Sequence, residues 1–222
     1  MNTLESPTVS ALLARLLDEA DASDAAFRAE IGARPAAERE AFFARARSDY
    51  RAFYGDARSM YLAVSRETGR LLYMLARATK ARSIVEFGTS FGVSTIFLAA
   101  ALKDNGGGRL IGTELEPSKA ARARENLTAA GLAELAEIRE GDALESLGRD
   151  LPASIDLVLL DGAKVLYPKV FALLEPHLAP GAILVADNAD ASPEYLARVR
   201  APGGGYVSVP FAADVEVSLR AS

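Results

Sequence analysis

Three groups of residues in this 222-residue chain are of types and spacings that could do chemistry. The first is a glycine-bracketed turn, Glu86-Phe-Gly88-Thr-Ser90-Phe-Gly92-Val-Ser94, placed directly after the apolar run 83–87. Its glycines let backbone approach a ligand closely, but their G-x-x-x-G spacing is not the dinucleotide G-x-G-x-x-G. Glu86 lies inside the end of that run, where a carboxylate is costly without a partner. The second group is a pair of acids. Glu114 ends the next apolar run, where an acid can accept hydrogen bonds from the two ribose hydroxyls of a nucleoside. The bland reading is a solvated strand end, which its neighbour Glu116 fits better. Asp142, in Gly141-Asp-Ala143, reads either as an acceptor for an adenine amino group or as the N-cap of a following helix.

The third group is rich in oxygen. Asp161 and Lys164 follow the run 155–160, and Asp187-Asn188 follows the run 182–186. Neighbouring parallel strands would bring these ends together. Two carboxylates that close need a cation, a proton or a basic partner. Oxygen ligands suit Mg²⁺, Mn²⁺ or Ca²⁺. Lys164 reads as a general base near that cation, with its pKa lowered by it, or as an ordinary loop lysine. The single histidine, His177, reads as a cation at a helix end.

Composition removes several other chemistries. There is no cysteine, which excludes disulfides, zinc–thiolate sites, iron–sulfur clusters and thiol nucleophiles. One histidine excludes a two-histidine metal site. The formal net charge is −5 with no basic block, a poor match to nucleic acid. The longest apolar run, 96–102, is far below the roughly 20 residues that span a bilayer. With no signal-like start, the expectation is a cytoplasmic protein with no membrane partner.

The elements that must position these groups change in character along the chain. Before residue 80 the pattern is helical. Leu12, Leu13, Leu16 and Leu17 share one helical face, with Ser10 as a plausible N-cap. A second helix is expected over 36–50, after Pro35. A third starts near Ser65, with Leu71, Leu72, Leu75 and Ala76 on one face. After residue 80, apolar runs at 83–87, 110–115, 136–139, 155–160 and 182–186 alternate with helical segments at 93–103, 118–130, 143–149 and 167–178. This implies a doubly wound, Rossmann-like α/β fold. The runs are apolar on both faces, as buried parallel strands are. Runs 206–210 and 215–219 lack an intervening helix and read as an antiparallel hairpin closing a mostly parallel seven-stranded sheet.

Taken together, Val85-Glu-Phe-Gly88-Thr-Ser-Phe-Gly92-Val-Ser94, Gly112-Thr-Glu114, Gly141-Asp-Ala, Leu160-Asp161-Gly-Ala-Lys164 and Ala186-Asp187-Asn188 resemble one family. It is the cation-dependent O-methyltransferases, S-adenosylmethionine enzymes of the catechol and caffeoyl-CoA type with their small bacterial relatives. The resemblance covers roughly residues 60–220. It implies that Glu86, Gly88, Ser90 and Ser94 hold the methionine end of the cofactor. Glu114 would take the ribose, and Asp142 with Ala143 the adenine. Val64 and Ser65 match a stretch lining the same pocket. Asp161, Asp187 and Asn188 match the metal ligands, with Asp161 also facing the cofactor, and Lys164 matches the catalytic lysine. Two departures stand out. Ala163 sits where many relatives carry a bulky aromatic. The connection after Asn188 is short, so few substrate contacts are expected from it. The acceptor pocket would then depend on the N-terminal helices or on a partner subunit.

The expected organisation is an N-terminal helical extension, 1–58, and a methyltransferase domain, 59–222. The expected activity is divalent-cation-dependent methyl transfer to a hydroxyl of a small catechol-like phenol. Two alternatives are a metal-independent methyltransferase on another small molecule and a non-catalytic S-adenosylmethionine-binding protein. A homodimer is expected, joined through the apolar N-terminal helices.

Overall fold

In a computed structural model, which describes residues 2–221, the chain begins with four helices: α1 (Pro7–Ala33), α2 (Ala36–Ser48), α3 (Tyr50–Asp56) and α4 (Arg66–Ala78). The alternating part follows as β1 (Ser83–Phe87), α5 (Val93–Asp104), β2 (Arg109–Glu114), α6 (Pro117–Ala129), β3 (Ala136–Glu140), α7 (Ala143–Ser146), β4 (Ile155–Leu160), α8 (Tyr167–Leu174) and β5 (Leu178–Ala186). It closes with α9 (Pro193–Val199), β6 (Tyr206–Pro210) and β7 (Glu216–Arg220). The strands form one seven-stranded sheet in the order β3-β2-β1-β4-β5-β7-β6. The first five strands are parallel, and β7 runs antiparallel to both β5 and β6.

Strand alternation distributes the core. Val85, Phe87, Val158 and Leu160 face one side, with Tyr167, Val170 and Phe171 of α8 and Tyr195 of α9. Ile84, Leu157 and Leu159 face the other, against Leu72 of α4 and Leu98 and Leu102 of α5. The apolar run in α5 is fully covered because α4 and α1 pack over it. The winding reverses between β1 and β4, the switch point at which open α/β sheets bind ligands.

Several expectations need correction. The first helix starts at Pro7 with Ser6 at its cap, so Ser10 lies inside the helix. Proline at the first helical position costs no hydrogen bond, because its N–H would be unsatisfied anyway. The face carrying Val9, Leu12, Leu13, Leu16 and Leu17 packs on Val93, Ile96, Phe97 and Leu127 within the same chain. That stripe is therefore not free to meet a second copy in the way expected. The connection after Asn188 is not bare: it carries α9, whose Tyr195 and Val199 are buried. Ser192-Pro193-Glu194 is the helix-start signal that marks it. α7 ends at Ser146, and α8 gives way at Leu174 to a 3₁₀ turn that carries Pro176. Among the described residues no helix is long and apolar enough to cross a membrane.

Candidate active site

The glycine turn sits at the switch point. Gly88 has φ +96°, and a Cβ there would lie 2.6 Å from the Asp161 carbonyl. Only glycine lets β1 run this close to the end of β4, where the Asp161 N–H donates to Phe87 O at 2.8 Å. Glu86 alternates with Val85 and Phe87 and so points toward α5. It is fully buried and accepts from Thr89 Oγ1 at 3.0 Å, Ser94 Oγ at 2.6 Å and Thr95 Oγ1 at 2.5 Å. Burial pushes its carboxyl up, and the three hydroxyls only partly oppose this. Through these bonds Glu86 clamps the turn to α5. Ser90 and Ser94 line a cavity, a small one shared with Gly88 and Asp161.

Beside it lies a second pocket lined by Gly88, Ser90, Glu114, Asp142, Ala143 and Asp161. This brings the expected nucleoside residues together. Glu114 is held by the N–H of Ser90 at 2.7 Å and that of Glu116 at 2.9 Å. Asp142 satisfies both of its open readings at once. Its Oδ1 caps α7 by accepting from Leu144 N at 2.9 Å, while its carboxylate also lines the pocket. Its other oxygen accepts from Tyr50 Oη and from Arg51 Nη2 at 2.6 Å, both on α3. Burial alone would raise its pKa, yet these donors hold the carboxyl below the usual range. Tyr50 and Tyr54 form part of the pocket wall. These contacts join sequence positions some ninety residues apart, so no local motif announces them.

The oxygen cluster forms as strand adjacency requires. Leu160 pairs with Ala186, and the Asp187 N–H donates to Leu160 O at 2.9 Å. The Asp161 and Asp187 side chains face the same cavity, close enough that the Asp161 charge disfavours ionisation of Asp187. Lys164 Nζ lies 3.0 Å from Asp161 Oδ1. Asn188 adopts the left-handed conformation and donates from Nδ2 to Asp214 Oδ2 at 3.0 Å, leaving its amide oxygen. Tyr167 Oη donates to the carbonyls of Leu160 and Asp187, both at 2.7 Å, fixing the two strand ends. Burial and then the Asp161 charge push Asp187 up to about 7. Burial also raises Asp161. Burial works against the Lys164 ammonium, but Asp161, Tyr54 and Asp187 outweigh it and hold its pKa above that of an ordinary lysine.

Asp161, Lys164, Asp187 and Asn188 line a cavity of about 680 Å³, closed on the far side by Asp24 and Arg28 of α1 and by Tyr54 of α3. Val64 and Ser65 stand on this wall, and not on that of the nucleoside pocket. Ser65 caps α4 by accepting from Thr68 N at 3.0 Å. His177 lies elsewhere, with Nδ1 3.1 Å from Pro152 O. Asp161 borders all three cavities and marks where they meet. Among the described residues no group of three or more His, Cys, Asp or Glu is placed to hold a metal ion. The donor set Asp161, Asp187 and the Asn188 amide oxygen nevertheless fits a hard cation: all three are oxygens on one cavity, and the two carboxyls repel.

Comparison with known proteins accords with this layout. Residues 85–189 match the methyltransferase domain family. A catechol O-methyltransferase of Niastella koreensis is 38% identical over 129 residues, covering 57% of this chain and 58% of that protein. One of Mycobacterium tuberculosis is likewise 38% identical over 129 residues, covering 57% and 56%. The chain thus spans somewhat over half the length of these curated relatives. Among solved structures, the O-methyltransferase TomG of Streptomyces achromogenes, in complex with S-adenosylmethionine, superposes with a TM-score of 0.65 at 29% identity. The match covers 82% of this chain and 90% of that one. An O-methyltransferase of Bacillus cereus in complex with S-adenosylhomocysteine gives 0.64 at 25% identity, covering 71% and 81%. Residues 85–189 thus resemble a methyltransferase domain, and the chain shares its fold with solved O-methyltransferases that hold S-adenosylmethionine or S-adenosylhomocysteine.

Proposed function

We propose that this chain is an S-adenosylmethionine-dependent O-methyltransferase that requires a divalent cation and methylates a hydroxyl of a small catechol-like phenol. The observation carrying this reading is the position of Asp161. It borders the two cavities that suit a nucleoside and an amino-acid tail, and also the larger one that suits an acceptor. The names of the catechol O-methyltransferase relatives support the acceptor class.

When bound, the cofactor supplies an electrophilic methyl on a sulfonium. A cation held by Asp161, Asp187 and Asn188 would supply Lewis acidity, which a phenol needs because its pKa is near 10. The residues of this chain do the positioning. Glu114, Asp142 and Ala143 hold the nucleoside end, while Gly88, Ser90 and Ser94 hold the methionine end. Glu86 locks Ser94 in place through its hydroxyl. Lys164 Nζ, anchored to Asp161, is the group placed to take the acceptor's proton once it is itself neutral. Residues of α1 and α3 complete the cavity wall around the acceptor, and alignment of the two substrates supplies much of the rate.

A second reading rests on the Asp161–Lys164 pair itself. The ammonium already offsets carboxylate charge, which a metal-independent methyltransferase would exploit. S-adenosylhomocysteine release from a catechol panel, with Mg²⁺ and with EDTA, decides between them. Mg²⁺-dependent turnover supports the first reading, and turnover indifferent to EDTA supports the second. Sedimentation tests the proposed homodimer, and a monomer at micromolar concentration rejects it.

A further inference from the structure

Lys119, in the first turn of α6, is used by none of the motifs and by no step above. It is 2% exposed, and lysines are almost never so buried unless paired. Among the described residues its ammonium has neither a hydrogen bond nor an ion pair; the Nζ lies 5.4 Å from the centre of the Phe91 ring. Phe91 is in turn packed on Tyr61, with ring centres 4.4 Å apart, and the Tyr61 hydroxyl donates to Glu19 of α1. This stack holds the lysine on the wall of the nucleoside pocket, which it shares with Ser90, Glu114 and Asp142.

The chemistry of that wall is unbalanced. The Glu114 carboxylate is acceptor-only and already takes two backbone N–H groups. A ribose diol meeting it would give up its protons and leave its oxygen lone pairs in a closed pocket. Lys119, on the same wall, brings three donors. We propose that Lys119 is a nucleoside-binding residue whose ammonium donates to the ribose hydroxyl oxygens whose protons Glu114 accepts. The inference rests on the S-adenosylmethionine reading of this pocket.

The test is calorimetric binding of S-adenosylhomocysteine and of its 2′,3′-dideoxy analogue to the full chain and to Lys119→Met. Met keeps the length and the contact with Phe91 while removing the donors. The variant should bind S-adenosylhomocysteine roughly ten- to a hundredfold more weakly, as expected for a lost charge-assisted hydrogen bond. It should bind the dideoxy analogue within about twofold of wild type, because that ligand offers Lys119 nothing to bond. Without ligand it should melt at or above the wild-type temperature, since an unpartnered buried charge has been removed. An equal loss for both ligands, or no loss for either, overturns the proposal. A lower melting temperature with unchanged binding overturns it in favour of a packing role. A wild-type chain that binds neither ligand overturns the pocket reading itself, whatever the variant does.

Discussion

Asp161 and Asp187 follow directly on the paired residues Leu160 and Ala186 at the ends of neighbouring strands, which sets both carboxyls on one cavity. Two carboxylates held this close disfavour each other's charge, so one gains by keeping its proton. The arrangement is a charge problem with two solutions: a proton, or a cation with Lys164 nearby.

The proton has a definite pH range. Asp187 is pushed up to about 7 by burial and by Asp161. Mg²⁺ affinity, measured by calorimetry, should therefore fall by roughly tenfold per unit as pH drops below that value, because a ligand must be deprotonated. Between the unfolded carboxyl value, ~4, and about 7, the folded chain binds more protons than the unfolded one. Stability in metal-free buffer should therefore fall as pH rises through that window. Asp187→Asn should melt higher than wild type at pH 8. Its turnover should drop at least about a hundredfold, with S-adenosylhomocysteine affinity nearly intact. Retained turnover rejects the metal role.

Gly88→Ala probes the contact between β1 and β4. The new Cβ would lie 2.6 Å from Asp161 backbone, at a φ of +96° that alanine disfavours. Loss of about 2 kcal/mol or more in a denaturant titration is expected, together with loss of cofactor binding. A variant of wild-type stability would mean that the turn can open freely.

Leu16→Ala asks whether α1 is part of the domain or an appendage. Leu16 is fully buried among α5 and α6 side chains. Truncation should cost about 2–5 kcal/mol and preserve a single unfolding transition. Two separate transitions would show that the N-terminal helices fold by themselves.

Arg51→Ala tests the clasp of α3 on the pocket. Arg51 is 62% exposed on its side chain, so the global melting temperature should barely move. Limited proteolysis near Arg58 should accelerate, and added S-adenosylhomocysteine should slow it again by contacts with Tyr50 and Tyr54. An unchanged cleavage rate would show that Tyr50 alone seats α3.

Much of this molecule was legible from local pattern. Strands at 83–87 and 155–160 were read to the residue, since buried parallel strands are short, apolar on both faces and bounded by turns. The sheet's antiparallel edge followed from two runs with no helix between them. Asp161, Asp187 and Asn188 were legible as a cluster because each stands at the carboxyl end of its strand. Pairing of neighbouring strands then leaves no other place for them.

What only the tertiary structure decided depends on contacts between distant segments. No spacing rule links Arg51 to Asp142, seats Tyr54 against Lys164, or turns Lys119 inward over Phe91. The inward face of α1 was visible as a leucine stripe, yet whether it met this chain or another was not. Periodicity says that a face must be buried and is silent about what buries it. The charge states follow the same rule. The types of Lys164, Asp161 and Asp187 are in the sequence. Their proton affinities are set by burial and by one another's fields, which exist only once the strand ends meet.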